Sequence, residues 1–345
     1  MLKGTADRRA EALGWIMLAV LLAGTSGALT AQMTGAQLRM DRKDPRFEAL
    51  IPKDAALEEL GAGFAWSEGP VWDRKAGALL FSDIPNNVIN KWAPGQGVTP
   101  FLKPAGYTGK EPFTGREPGS NGLTFDSQGR LVLCMHGDRR IARLTADRTF
   151  ETTVDRYQGK RLNSPNDLVY HSSGALYFTD PAYGLPKTFD DPARELDFTG
   201  VYRFVDGKLT LLTRELKAPN GLAFSPDEKI LYVAQSDRDR PIWMAYPVNP
   251  DGTIGAGKLL ADASAASKSG KPGAPDGLKV DVKGNLFATG PGGVWVIAPD
   301  GTHLGTIETG VPTANAAWGD DGSVLYITAN DKLYRVKTST KGKMP

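Results

Sequence analysis

Apolar residues in this chain come in paired short runs, and one polar side chain stands at a fixed place ahead of each pair. Glu68 opens EGPVW, Asn121 opens NGLTF, Asn166 opens NDLVY, Asn220 opens NGLAF and Asp276 opens DGLKV. Each stands four residues before an apolar or aromatic residue: Trp72, Phe125, Tyr170, Phe224 or Val280. A turn comes next, then a second apolar run: ALLFS, RLVLC, ALYFT, ILYVA or NLFAT. A sixth copy, AAWGDDGSVLYIT, surrounds Trp318 and puts Ala314 at the equivalent place. The spacings from Glu68 through Asn121, Asn166, Asn220 and Asp276 to Ala314 are 53, 45, 54, 56 and 38 residues. Self-similarity at roughly 40–50 residues with strands in each unit predicts an all-β fold, a six-bladed β-propeller. Blades surround one axis, so equivalent positions of different blades meet there. Two carboxylates and three amides are thereby expected to form a central column.

Further strands are expected at VYRF, LTLL, IWMAY and VWVIA, which alternate or run apolar between Gly, Pro and Asp. Asp206-Gly207, Asp251-Gly252, Asp300-Gly301 and Asp321-Gly322 suit tight hairpins, because both residue types tolerate positive φ. The propeller is expected over 61–335, with one strand near Phe64 closing the ring. Residues 32–60 read as a polar lead-in with a short helix at DAALEEL, and 336–345 as a flexible tail. Two loops break the repeat: 106–122, rich in Gly, Pro and charge, and 263–277, rich in small residues. They lead into Asn121 and Asp276, so both are expected at the rim of the axial pocket, together with Tyr107, Phe113 and Tyr183.

Six repeats make one propeller of a 345-residue chain, and 41% hydrophobic with 23% charged residues is ordinary for a globular protein. A net charge of +2 with scattered basic residues argues against a nucleic-acid partner. The single cysteine, Cys134, sits inside RLVLC and is expected to be a buried apolar residue. At the N-terminus, Lys3, Arg8 and Arg9 precede an apolar run from Leu13 to Ala23 and the small residues of SGALTAQ. That order predicts a secretory signal peptide over residues 1–31, cut after Ala31 or Ala28. The apolar run is short for a membrane span, so no stable insertion is expected after cleavage; an uncleaved anchor is the alternative. Export of a chain with one cysteine points to a bacterial periplasm.

An isolated Asn-Gly or Asp-Gly is usually a turn, which would explain Asn121, Asn220 and Asp276 one at a time. It does not explain five polar residues in one register in front of buried strands. Two buried carboxylates without a counter-charge repel, and one would protonate. A divalent cation removes that cost. Carboxylate and amide oxygens suit Ca²⁺; Mg²⁺ demands stricter geometry, and Zn²⁺ favours His or Cys, which the column lacks. The chain has no G-x-S-x-G elbow, no H-E-x-x-H, no G-x-G-x-x-G and no P-loop. His171 and His303 lie in turns and are expected to be solvated. His136, one strand past Asn121, reads either as a proton shuttle or substrate donor facing the axis or as a structural residue.

SEGPVW, SNGLTFDSQGRL, RLNSPNDLVYHSSGALYFTDPAYGL, APNGLAFSPDEKILYVAQSD and APDGLKVDVKGNLFATG together resemble the gluconolactonase, regucalcin and luciferin-regenerating family, over about residues 60–335. NSPNDLV with FTDPAYGL is most similar to the bacterial gluconolactonases. The resemblance implies a six-bladed propeller holding a divalent cation through Glu68, Asn166, Asn220 and Asp276, with Asn121 binding substrate. The same four-residue pattern occurs in paraoxonase-like and diisopropylfluorophosphatase-like propellers. Some members carry an Arg two residues before the substrate-binding Asn; here that place is Gly119, with Arg116 the nearest substitute in the loop.

The same resemblance implies metal-dependent hydrolysis of a sugar lactone such as glucono-δ-lactone. Asp276 would be both ligand and acceptor of the proton from attacking water, Glu68 would anchor the ion from the far side, and His136 is the alternative base. Ca²⁺ is the expected ion, with Zn²⁺, Mn²⁺ and Mg²⁺ as substitutes in vitro. Two other readings remain open: a paraoxonase-like lactonase or phosphotriesterase, and a non-catalytic periplasmic propeller that binds Ca²⁺ or another ligand.

Overall fold

The computed structural model describes residues 40–344. The expected signal peptide and its cleavage sites lie outside the described residues, among which no helix is long and apolar enough to cross a membrane. Among the described residues six antiparallel blade sheets succeed one another along the chain, each running from an inner strand outward, with a two-stranded hairpin, Arg156–Tyr157 against Lys160–Arg161, between the second and third. Their inner strands are Ser67–Asp73, Ser120–Phe125, Leu168–Tyr170, Pro219–Phe224, Leu278–Val280 and Asn315–Gly319. Each pairs with the second apolar run of its repeat, as Leu168–Tyr170 does with Leu176–Asp180. These second strands are buried on both faces, so they read as continuous apolar runs. The fold is the expected six-bladed β-propeller.

Glu58–Ala62 closes the ring. It is the outer strand of the sixth blade, whose other three strands come from the end of the chain. This strand lies slightly before the expected place near Phe64 and replaces the helix expected at DAALEEL. Its backbone pairs with Lys332–Lys337, and Arg335 and Lys332 pair with Glu58 and Glu59 at 2.7 Å. Helix propensity in a seven-residue stretch is weak and yields to such pairing. The seam between first and last blades is aromatic: Trp72 stacks on Tyr326 at 5.2 Å, with Trp92 at 5.5 Å. Met40–Arg42 adds a fifth strand to the fifth blade, so part of the expected lead-in is woven into the propeller. Cys134 is fully buried, as expected. His303 is not solvated: it stacks on Trp295 at 3.7 Å, and burial pushes its pKa down to about 4.

The C-terminal segment differs from the flexible tail expected. Ser339 N–H donates to Leu50 O, Lys341 O accepts from Val282, and Gly342 and Lys343 N–H donate to Gly322 and Val280 carbonyls, all at 2.8–3.1 Å. Lys343 Nζ reaches Glu228 at 2.8 Å, and Gly342 lies so close to Trp318 that a Cβ there would sit 1.7 Å from the ring. The segment straps across one end of the axial channel, where Lys343 and Met344 line a cavity of about 620 Å³ shared by all six inner strands. Charged and small residues gave no sign of this, because the strap is held by backbone groups, which any sequence carries. Four backbone hydrogen bonds at roughly 0.5–1.5 kcal/mol each predict that deleting 339–345 lowers stability by at least about 2 kcal/mol. Urea unfolding of the truncated chain checks this, and an unchanged midpoint would show that the strap does not hold the sheets.

Candidate functional site

The column residues sit where each blade begins. Glu68, Asn121 and Asn220 lie near the start of their inner strands, each just ahead of a register shift. Asn166 and Asp276 stand two residues before theirs and Ala314 one, and their N–H groups donate to Thr179, Thr289 and Thr328 of the second strands at 2.9, 3.1 and 2.9 Å. Ala314 therefore occupies the same register without contributing a polar side chain.

Hydroxyls on the second strands lock neighbouring blades together at this level. Ser82 Oγ donates to Asn121 O, Thr179 Oγ1 to Asn220 O and Thr289 Oγ1 to Ala314 O, at 2.8, 2.8 and 2.9 Å. In each case a hydroxyl of one blade holds the column backbone of the next. The sequence carried this signal unrecognised, as the final Ser or Thr of ALLFS, ALYFT and NLFAT.

The Asn-Gly pairs are not turns. Among the column glycines only Gly69 has positive φ, at +48°. These glycines are needed for close approach instead. A Cβ on Gly69 would lie 1.9 Å from Asn121 O, on Gly221 2.4 Å from Asp276 O, and on Gly277 2.0 Å from Asn315 Cγ. Side chains this close to the axis leave no room for another carbon.

Glu68, Asn121, Asn166, Asn220, Asp276 and Tyr183 all line one cavity of about 670 Å³ at the other end of the channel. The 263–277 loop supplies part of its wall through Ser264, Ser267, Lys268 and Lys271. The 106–122 loop supplies only Glu117 and Asn121; Tyr107 and Phe113 are absent from the wall and pack against each other at 5.2 Å. Arg116 is exposed and also absent from the wall. His136 does not reach the cavity: it is fully buried, with Nδ1 2.9 Å from Glu117 Oε2.

Two of the column side chains, Glu68 and Asn220, are held by neighbouring groups. Glu68 Oε2 accepts from Gly69 N–H at 2.6 Å and from Asn315 Nδ2 at 3.2 Å. Asn220 Nδ2 donates to Ser236 Oγ at 2.9 Å, and Ser236 in turn donates to Pro275 O at 2.6 Å. Asn121 Oδ1 and Asp276 Oδ1 are sealed from solvent without a hydrogen-bond partner among the described residues. Burial pushes Glu68 up to about 8, and Asp167 and Glu117 add to the rise. Burial and then the charge of Glu68 push Asp276 well above the carboxylate range. One step deeper, Asn315 Nδ2 also lies 3.4 Å from Asp167 Oδ2. Asp167 and Asn315 occupy the place just after the column, where the other four repeats have glycine.

This donor set suits a hard cation. Orphaned oxygens and two carboxylates that disfavour each other's charge are relieved by one divalent ion. Among the described residues no group of three His, Cys, Asp or Glu side chains is placed to hold a metal. An ion here would rest on two carboxylates and on amide oxygens, an arrangement that does not favour Zn²⁺.

Comparison with known proteins places this geometry in a family. The SMP-30/Gluconolactonase/LRE-like region matches residues 66–331. A gluconolactonase of Zymomonas mobilis is 40% identical over 330 residues, covering 93% of this chain and 92% of that protein. The solved structure of a gluconolactonase from Xanthomonas campestris superposes with a TM-score of 0.75 at 33% identity, covering 87% of this chain and 94% of that one. A calcium-binding regucalcin from Agrobacterium tumefaciens shares the fold, with a TM-score of 0.65 at 20% identity over 84% of this chain and 96% of that one. On the length of the match and the identity to the Zymomonas protein, the chain belongs to the SMP-30/gluconolactonase/LRE-like family.

Proposed function

We propose that the axial cavity opens a sugar lactone such as glucono-δ-lactone with the help of a divalent cation held by Glu68, Asn166, Asn220 and Asp276. Family membership and the close gluconolactonase relatives make the chain a gluconolactonase-like lactone hydrolase; the ion and the residue roles are the proposal. The observation that carries it is the pair of buried carboxylates sharing one cavity with unpartnered amide and carboxylate oxygens. Ca²⁺ fits the all-oxygen set best, and a related fold belongs to a calcium-binding protein. When bound, the ion supplies Lewis acidity at the lactone carbonyl.

The chain's own groups do the rest. Water attacks the carbonyl carbon, the ring C–O bond breaks, and a hydroxy acid results. Asp276 accepts the water proton at its free Oδ1 and returns it to the departing ring oxygen. Ser236, which accepts from Asn220 Nδ2 and donates to Pro275 O, braces the chain just ahead of Asp276. Glu68 is fixed by Gly69 and Asn315 and stays a ligand. Asn121 Oδ1 accepts a hydrogen bond from substrate. Burial pushes the Tyr183 phenol far above its usual range, so it remains a donor. His136, walled off behind Glu117, is not the base in this reading.

Export through the expected N-terminal signal is part of the proposal and would put this activity in the periplasm, with mature protein beginning near Gln32 or Leu29; N-terminal sequencing of native protein tests that part. Activity is tested in a pH-stat with glucono-δ-lactone, simple γ-lactones and paraoxon, with and without chelator. Gluconolactone hydrolysis that chelator abolishes and Ca²⁺ restores is expected. Full activity under chelator would remove the cation from the reaction. A preference for paraoxon would favour the phosphotriesterase reading.

A further inference from the structure

We propose that Glu117, positioned by His136, selects polyhydroxylated lactones over unsubstituted ones at this cavity; the inference rests on the lactone-hydrolase reading above. The repeat gives no hint of Glu117, since it lies four residues before Asn121 in an irregular loop. The fold nonetheless puts it in the cavity wall with the column residues. Glu68, Asp276 and Tyr183 line the same wall, and the negative charge of Glu117 adds to the upward push on the pKa of each.

The surroundings hold it there. Gly119 N–H donates to Ile84 O at 2.9 Å, and His136 N–H donates to Gly119 O at 3.1 Å. A Cβ on Gly119 would lie 2.5 Å from Ile84 O, and one on Gly184 2.6 Å from His136 Cβ. The His136 ring is fully buried, and neither ring nitrogen has a well-aligned hydrogen bond among the described residues. Glu117 Oε2 lies 2.9 Å from Nδ1, and the Glu117 side chain keeps 29% exposure. A buried imidazole directed at a single carboxylate of the cavity wall orients that carboxylate, as second-layer groups orient ligands elsewhere. The close contact is to Oε2, and the partly exposed Glu117 side chain lines the cavity.

A carboxylate only accepts hydrogen bonds when ionised. A lactone bearing ring hydroxyls supplies donors to it as water leaves. An unsubstituted lactone supplies none and strands the charge. Sites built to bond a substrate hydroxyl reject the analogue that lacks it for this reason. The reacting carbonyl is served by the column, so Glu117 acts on substrate choice rather than on the bond that breaks.

The test compares wild type with Glu117→Gln on glucono-δ-lactone and δ-valerolactone, and titrates both proteins with Ca²⁺ by calorimetry. Expected is a fall of about 10–100-fold in the ratio of kcat/KM for the sugar lactone over δ-valerolactone, the size of a lost charged hydrogen bond, with Ca²⁺ affinity retained. The double variant Glu117→Gln/His136→Gln should lose no more of that ratio than Glu117→Gln alone, because both act through one contact. An unchanged ratio overturns the inference. So does weakened Ca²⁺ binding, which would make Glu117 a ligand, or additive losses in the double variant, which would separate His136 from it. If wild type opens neither lactone, the hydrolase reading itself falls, a result distinct from these.

Discussion

Asp276→Asn at saturating cation is expected to lower kcat by about 10²–10⁴-fold, the usual worth of a general base. The amide keeps an oxygen ligand but cannot accept the water proton. Glu68→Gln removes a similar charge from the same cavity, at a side chain that Gly69 and Asn315 already hold. Its defect should lie in ion affinity, so excess Ca²⁺ should restore much of its rate. Saturating cation is essential to the comparison, since occupancy would otherwise mask the chemistry. Equal rescue of both variants would show that Asp276 is only a ligand. The search for the base would then move to Glu117, which shares the cavity, before the walled-off His136.

Protein stripped of cation should lose stability as pH rises from about 4.5 to 8, and cation should flatten that slope. Burial lifts Glu68 from 4.5 to about 8, and Asp276 moves the same way. Between those values the folded chain holds protons that the unfolded chain has released. Stability is therefore full at low pH and falls as pH climbs through the folded value. A bound cation favours the ionised carboxylates and removes the penalty. Asp180, lifted by burial to about 7, lies outside the cavity wall and should keep a smaller slope in either state. Cation at a hundred times its Kd stabilises by about 2.7 kcal/mol, or about 5 °C in Tm for a domain of this size. Melting curves from pH 5 to 8, with chelator and with Ca²⁺, check both points. Identical pH dependence in the two sets would mean that no cation meets these carboxylates.

The axial column was legible in the sequence because it repeats. A polar residue four places before an apolar or aromatic one, in five of six copies, is a statement about blades, and blade symmetry carries equivalent residues to one axis. Glu68, Asn121, Asn166, Asn220 and Asp276 therefore share a cavity although up to 208 residues separate them. Buried second strands were equally plain, since strands covered on both faces are apolar throughout. The strand that closes the ring was anticipated to within a few residues.

Features without a periodic signature were decided only by tertiary structure. Glu58–Ala62 became a strand because an unpaired edge at Lys332–Lys337 was waiting for it. The C-terminal strap is held by backbone groups that no side-chain pattern reveals. The Asn-Gly pairs were ambiguous because glycine serves both turns and tight packing, and only the neighbouring blade shows which. His136 is buried behind Glu117 rather than in the cavity wall, while Glu117, from an irregular loop, lines it. Local pattern determines which residues point to the axis from each blade. What stands between and behind them depends on contacts between blades, which are formed by residues distant in the chain.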